Sequence, residues 1–562
     1  MLDKDLLSIQ EVRTKVEKAY QAWQKYRTFS QEQVDAVVER AAAAARANSR
    51  RLAEMAVEET GYGNAKDKYI KNLLNCDWLP RRMRGMKTVG ILRELPDQKM
   101  VEIGVPVGVV AAILPTTNPT STAIYKILIS LKAGNAVVIS PHPRAYKCTC
   151  ATAGVLYRAA VEAGAPEDIV QCVDNATLEG TNALMRHERT GVILSTGGAG
   201  IVKAAYSSGK PAFGVGPGNV PVLVDTSADL EDAVAKVVAG KSFDYGTVCS
   251  SEQAIVAEAS LRDRIIGLLK ANKAYFCNDA QKEALGKLLV MPNWSINPQC
   301  VGQAPTKLAK MAGFDVPADT TILCAEIGGV GKQHPLSMEK LSPVLALLFV
   351  PDFQSALANC QALLKFGGLG HTAVIYAKDE ARVREFGLRM PAMRVLVNTP
   401  APQGSTGITT NVFPSMTLGC GAMAGNITSD NVGPQHLINI KRLAYVARKP
   451  EEAFEMPLDI NQAPAGTPID TGTGPVDRNT LVAAVERYLA SRGIAVSAAA
   501  AGAVSGGPSC DASCAAPAPP PAPQPAVNRS TVANIASEVV DRFLKSRGGS
   551  ESKPSETQGG YT

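Results

Sequence analysis

One cysteine is marked out by its surroundings. The stretch Gly240-Lys-Ser-Phe-Asp-Tyr-Gly246-Thr-Val-Cys249-Ser-Ser puts Cys249 in a small, glycine-flanked polar turn. A helix-like run precedes the turn and an apolar strand, Ala254 to Val256, follows it. A nucleophilic thiol needs access to its substrate and a route to the thiolate; the bland alternative is a buried structural cysteine. Two more stretches have chemistry to offer. Thr196-Gly-Gly198-Ala-Gly200 follows the apolar run Val192 to Leu194 and leads into a helix near Ile201. Backbone N–H groups at such a strand–turn–helix junction can approach a pyrophosphate, although the full glycine fingerprint of dinucleotide sites is absent. Pro115-Thr-Thr-Asn118-Pro-Thr follows a strand at its carboxyl end. There the carboxamide of Asn118 either donates to an oxyanion or caps a helix over 120–132.

Such turns act together only if a scaffold gathers strand ends. The chain supplies the pattern for one. The first 60 residues read as helix, with Val34, Val37, Val38, Ala41 and Ala45 at helical spacing and Gly61 and Gly63 stopping the pattern. From about residue 101 short apolar runs alternate with helix-like stretches: Val105 to Leu114, Ala123 to Lys132, Ala136 to Ile139, Thr149 to Gly164, Ile169 to Val173, then Val192 to Ser195. Val220 to Val224 and the helix-like Leu230 to Ala239 continue it. That alternation predicts an α/β fold with a parallel, doubly wound sheet.

Composition narrows the function. The 562 residues are 46% hydrophobic and 20% charged, enough for a substantial core, and length suggests roughly three or four domain-sized units. A net charge of +6 demands neither nucleic acid nor an anionic membrane as partner, and 5% aromatics weakens a base-stacking role. The opening residues do not read as a signal peptide. The most apolar stretch, Ile103 to Leu114, is too short for a membrane span, which needs about 20 residues. A soluble, cytoplasmic protein is expected, with most of its twelve cysteines reduced. Neither Cys148-Thr-Cys150 nor Cys510-x-x-x-Cys514 has a second pair or a histidine at ligand spacing, so no metal site is expected.

After about residue 450 the texture breaks. Residues 457–475 are rich in Pro, Gly and Thr, and 495–527 are almost wholly Ala, Pro, Ser and Gly, the composition of a disordered linker. Two helix-like islands, 476–493 and 527–548, form an imperfect repeat. In the second, Val532, Ile535, Ala536, Val539, Val540, Phe543 and Leu544 make one apolar stripe. Such a helix on a tether either folds back on the body or docks in a partner's groove.

Taken together and in order, these motifs resemble the aldehyde dehydrogenase superfamily, and within it the CoA-acylating branch. The resemblance covers about residues 5–450. It rests on Leu114-Pro-Thr-Thr-Asn-Pro119, Ser195-Thr-Gly-Gly198, Phe213-Gly-Val-Gly-Pro-Gly-Asn219, the Cys249 turn, Glu339-Lys-Leu-Ser-Pro343, Gly370-His-Thr372 and Leu418-Gly-Cys-Gly-Ala-Met-Ala-Gly-Asn426 with Asn431-Val-Gly-Pro-Gln-His-Leu437. It implies a Rossmann-like coenzyme domain over 1–224, completed by about 421–450, and an α/β catalytic domain over 225–420. A linker over 451–526, a docking helix over 527–548 and a disordered tail over 549–562 would follow.

The resemblance also assigns roles. Cys249 stands where the family has its nucleophile, and Asn118 where it has its oxyanion-hole asparagine, joined by the Cys249 backbone N–H. Glu339 matches the glutamate that holds the nicotinamide ribose. Thr116, Ser140, Pro141, Thr196, Gly197, Gly198 and Gly216 are the other expected coenzyme contacts. Hydrolytic members carry a glutamate that activates water; the matching stretch here, Phe213 to Gly218, has no carboxylate. Attack by neutral water on a thioester is slow without a base, whereas a thiol with its own thiolate fraction needs less help. The missing acid therefore fits transfer to coenzyme A. His371 is the candidate to deprotonate CoA or tune Cys249, and equally fits a satisfied structural histidine. Many relatives carry a lysine near Ser140; its absence here leaves NAD and NADP open, with NAD preferred. Pro141 and Arg144 are the candidates for CoA contact.

The implied reaction is oxidation of a short aldehyde, propionaldehyde or acetaldehyde, to its acyl-CoA by a homo-oligomer. The alternatives are a hydrolytic aldehyde dehydrogenase and a non-catalytic scaffold. Bifunctional relatives continue into an iron-dependent alcohol dehydrogenase domain, for which this chain looks too short. The tail instead resembles that of aldehyde dehydrogenases of bacterial microcompartments, in its position most like the glycyl-radical-associated type. This implies shell proteins as partners and a microcompartment location.

Overall fold

Two long amphipathic helices start the chain. Asp3 caps Lys4–Tyr26, and a reciprocal Ser30–Gln33 capping box opens Gln31–Thr60. Gly61, at φ +69°, ends the second helix in the left-handed region, as the glycine pattern predicts. The structure is a computed structural model that describes residues 3–454. The helical islands at 476–493 and 527–548 and the linker and tail around them lie outside the described residues.

Three sheets follow. The first has five parallel strands in the order Val170–Cys172, Ala136–Ser140, Val109–Ile113, Thr190–Thr196, Ala212–Val215. The second has seven parallel strands in the order Tyr275–Phe276, Leu323–Glu326, Val344–Val350, Glu252–Glu258, Val220–Val224, Gly370–Tyr376, Ala392–Val397. Continuous Val/Ile/Ala runs form these strands because helices cover both faces, so neither face needs polar residues. A third, antiparallel sheet pairs Gly90–Leu95, Met100–Pro106 and Ile438–Ala444 and is largely exposed.

Two boundaries differ from the sequence expectation. The apolar run Val105 to Leu114 is not one strand: Met100–Pro106 belongs to the antiparallel sheet and Val109–Ile113 to the five-stranded one. Gly108, at φ +117°, makes the break, a conformation few other residues adopt. Val220–Val224 sits in the seven-stranded sheet, so the change of sheet falls between Val215 and Val220 and not at 224. Pairing decided this: Val222 aligns with Ile255 and Val374, which carry the same apolar pattern as the first sheet.

Candidate active site

The five-stranded sheet reverses its order beside Val109–Ile113. The chain steps outward through Ala136–Ser140 and Val170–Cys172, then returns to lay Thr190–Thr196 on the other side. Ligand crevices form outside the carboxyl ends of strands at such a switch point. The turns leaving these two strands, 114–118 and 197–198, line a cavity of about 1070 Å³. Thr116, Asn118, Ser140, Pro141, Thr196, Gly197, Gly198, Gly216, Cys249 and Glu339 all line it. His371 and Arg144 do not appear in its lining; Arg144 stands beside it, with Nη1 3.2 Å from the hydroxyl of the cavity residue Tyr62.

One wall of the cavity is built from backbone. Gly198 is the N-cap of the helix Ala199–Tyr206 and supplies no side-chain acceptor, so the first N–H groups of that helix are left for an anion. A Cβ added at Gly198, Gly200 or Gly216 would meet nothing within 4 Å. This open cradle at a helix N-terminus fits the pyrophosphate of a dinucleotide. Ser140 Oγ bonds Thr181 Oγ1 at 2.8 Å and Thr196 Oγ1 bonds Thr417 Oγ1 at 3.3 Å, which joins the 417–418 stretch to this wall.

The facing wall is built from buried side chains. Cys249 is partly exposed to the cavity. Burial pushes its thiol up to about 12, Glu339 and Cys420 add to the rise, and Arg394 opposes it. The resting thiol is therefore neutral and needs a base to become a nucleophile. Glu339 accepts from the Gly218 N–H at 2.9 Å, and burial pushes its carboxyl up to about 8. Among the described residues it is the one carboxylate in the cavity lining. The stretch that lacks the hydrolytic glutamate presents Val215, Gly216 and Pro217 to the cavity.

Asn118 occupies the N-cap position of Pro119–Lys132, yet its side chain makes no capping bond. The carboxamide turns instead into the cavity wall, where Nδ2 donates to Thr117 Oγ1 at 3.0 Å and to the Thr247 carbonyl at 3.4 Å. Cys249 and Asn118 are thus brought to one wall by two different sheets.

His371 is placed differently from the expectation that it meets a co-substrate thiol. It is fully buried, its Nδ1 pairs with Thr372 Oγ1 at 3.0 Å, and its Nε2 has no partner among the described residues. Burial and Arg394 push it down to about 3, so it is neutral. It packs behind Gly218, where an added Cβ would lie 3.0 Å from the imidazole and 2.3 Å from the Cys249 carbonyl oxygen. Its route to Cys249 runs through this glycine and not through the cavity.

Sequence reasoning missed the groups behind this wall. Lys68 and Lys71 lie on the short helix Ala65–Leu73, and both are buried against Asp244. Spacing alone makes these lysines look like a solvated face. The available signal was Asp244, five residues before Cys249 in the same turn. Arg394 and Cys420 were also unremarked; Arg394 is buried and donates to the His371 carbonyl at 2.7 Å. Among the ten described cysteines, Cys150 and Cys172 form a disulfide and eight are free thiols.

Comparison with known proteins agrees with this geometry. The aldehyde dehydrogenase family model matches residues 6–284. The bifunctional aldehyde-alcohol dehydrogenase AdhE of Escherichia coli is 44% identical over 443 residues, 78% of this chain and 50% of that protein. The chain thus spans about half the length of the bifunctional relatives it matches. The acetylating succinate-semialdehyde dehydrogenase of Clostridium kluyveri is 36% identical over 78% of this chain and 96% of its own. An acetylating aldehyde dehydrogenase from Geobacillus thermoglucosidasius superposes with a TM-score of 0.79 at 48% identity, covering 80% of this chain and 99% of that one. A Rhodopseudomonas palustris propionaldehyde dehydrogenase with bound propionyl-CoA superposes at 0.70, with 30% identity, 77% of this chain and 94% of that one. A propionaldehyde dehydrogenase from the Clostridium phytofermentans fucose utilisation bacterial microcompartment also superposes at 0.70, with 28% identity over 77% and 97%. The chain belongs to the aldehyde dehydrogenase family.

Proposed function

We propose that the protein oxidises a short aldehyde with NAD and coenzyme A, giving an acyl-CoA. One observation carries this reading. Cys249 shares its cavity with Asn118, whose carboxamide N–H could donate to an oxyanion, while the stretch 215–217 facing that cavity offers no carboxylate to activate water. Relatives named as acetylating, and one that holds propionyl-CoA, support it.

In this mechanism the Cys249 thiol gives up its proton to solvent and adds as thiolate to the aldehyde carbon, giving the oxyanion of a thiohemiacetal. Asn118 Nδ2–H and the Cys249 backbone N–H receive the developing negative oxygen. The coenzyme, when bound, supplies the hydride acceptor; Gly197 and Gly198 would hold its pyrophosphate and Glu339 its ribose. The thioester left on Cys249 is then attacked by the thiol of CoA, which releases acyl-CoA and regenerates the cysteine. His371 would tune Cys249 from behind Gly218. The five-stranded sheet then serves as the coenzyme domain and the seven-stranded sheet as the catalytic domain. The Ser140-Pro-His142 stretch carries no lysine to mark the adenosine ribose, so NADP is the coenzyme to test beside NAD.

Glu339 favours one other reading. As the carboxylate in the cavity it would activate water, and the product would be a free acid. The apolar stripe of 532–544, together with the microcompartment-derived relative, supports a third element: the tail docks the enzyme to shell proteins. The deciding experiment is NADH formation from propionaldehyde and NAD⁺ with and without CoA, for the wild type and Cys249→Ala. Strict CoA dependence, lost in the variant, is the expected result. Turnover without CoA would replace this reading with the hydrolytic one.

A further inference from the structure

The oxygen and nitrogen of an asparagine carboxamide have almost the same shape, so their surroundings decide which one faces a substrate. Behind Asn118 stands the buried ammonium of Lys71. It donates to Asn118 Oδ1, to Asp244 Oδ2 and, at 3.3 Å, to Thr247 Oγ1. Three donors meet three acceptors, and an ammonium accepts nothing. Asn118 Oδ1 is therefore turned to Lys71, and Nδ2 is left on the other side. One of the Nδ2 bonds, to the Thr247 carbonyl, is long at 3.4 Å and is the one an incoming oxyanion can replace.

Ion pairing with Asp244 does not by itself account for Lys71. Lys68, one turn earlier on the same helix, already reaches Asp244 Oδ2 at 3.1 Å and the Thr117 carbonyl at 3.0 Å. Two buried ammonium groups thus share the fully buried carboxylate of Asp244. Asp67, partly buried alongside, is engaged with the Asp244 N–H at 2.7 Å and the Asn64 carboxamide at 2.7 Å. Lys71 thus turns its ammonium on Asn118 Oδ1 as well as on Asp244. A cation on the carbonyl side of an amide polarises it, and its N–H becomes a stronger donor.

We propose that Lys71 is a positioning residue for the reaction: its ammonium holds the Asn118 carboxamide with nitrogen towards the reacting carbonyl and strengthens that N–H for the oxyanion. The inference rests on the reading of Asn118 as the oxyanion donor.

The test is a double-mutant cycle on the full chain, reading kcat and KM with propionaldehyde, NAD⁺ and CoA. Lys71→Met is expected to lower kcat about 100-fold and leave KM for NAD⁺ within about twofold, the scale of a lost oxyanion donor. The double variant Lys71→Met/Asn118→Ala is expected to lose no more than about twofold beyond Asn118→Ala, because one residue acts through the other. Losses that multiply, or a Lys71→Met enzyme with wild-type kcat, would overturn the proposal. An unchanged rate of Cys249 alkylation by iodoacetamide separates positioning from collapse of the turn. Should Lys71→Met not fold, Lys71→Gln keeps a donor without the charge; it is expected to lose about tenfold in kcat, and a value within about twofold of wild type overturns the charge role. A wild-type kcat for Asn118→Ala alone would instead refute the oxyanion reading of Asn118.

Discussion

The two walls of the cavity are built on opposite plans. On the side proposed for the coenzyme the groups offered are backbone N–H donors at Gly197, Gly198 and the start of Ala199–Tyr206, with open space beside Gly198 and Gly200. On the side of Cys249 the groups are side chains: the partly exposed Cys249 and the buried Asn118, both neutral, and, behind them, the buried charges of Lys71, Lys68 and Asp244. A backbone site asks mainly that nothing bulky stand in the way, so it tolerates small changes. A buried side-chain site is coupled, because each charge or hydrogen bond removed leaves its partner unsatisfied in a low-dielectric setting.

That contrast can be broken most severely at the sulfur. Cys249→Ala removes the proposed nucleophile and should lower kcat by on the order of 10⁴, measured as NADH formed per enzyme, while leaving coenzyme binding by fluorescence titration unaltered. Asn118→Ala comes next, with an expected fall of about 10²–10³ in kcat and little change in KM for NAD⁺. Equal losses in binding on the two walls would show that they are not separate devices.

Alanine at two glycines sharpens the comparison in terms of stability. At Gly218 a new Cβ would lie 2.3 Å from the Cys249 carbonyl oxygen, so backbone must move. Gly218→Ala should cost about 1–3 kcal/mol in urea unfolding, the scale of overpacking. At Gly198 the new methyl meets nothing within 4 Å, and Gly198→Ala should stay within about 0.5 kcal/mol. Equal costs at the two positions would contradict the difference in packing.

A pH dependence gives a further contrast. A thiol raised to about 12 is neutral in the folded protein at physiological pH, and its thiolate fraction grows as pH rises. Alkylation of Cys249 by iodoacetamide should therefore speed up about tenfold per pH unit between pH 7 and 10. A plateau near pH 8 would mean that the surroundings of the sulfur are more favourable to charge than its burial implies.

How much of this was readable in advance differs by wall. The glycine turn after Val192 to Leu194 and the Asn118 turn after Val109–Ile113 are local patterns. Each was visible because strand, turn and helix follow one another in sequence. Cys249 was likewise marked by its own turn. The boundary near 216–220 was not, because Val220–Val224 has the same apolar composition as the strands before it and joins the other sheet only by pairing. His371 had the right neighbours in sequence, yet it faces Gly218 and not the cavity.

The sequence by itself determined the alternation of strand and helix, the turns that end at the cavity and the residue types that can act there. Periodicity and turn chemistry are short-range, and a few neighbouring residues suffice to write them. Only the tertiary structure decided that Lys71, 47 residues before Asn118, stands behind its carboxamide, and that Asp244 holds two lysines at once. A lysine looks the same in sequence whether it is solvated or buried. Its partner is chosen by how helices and sheets pack, and in the buried setting an ammonium must find every acceptor within reach.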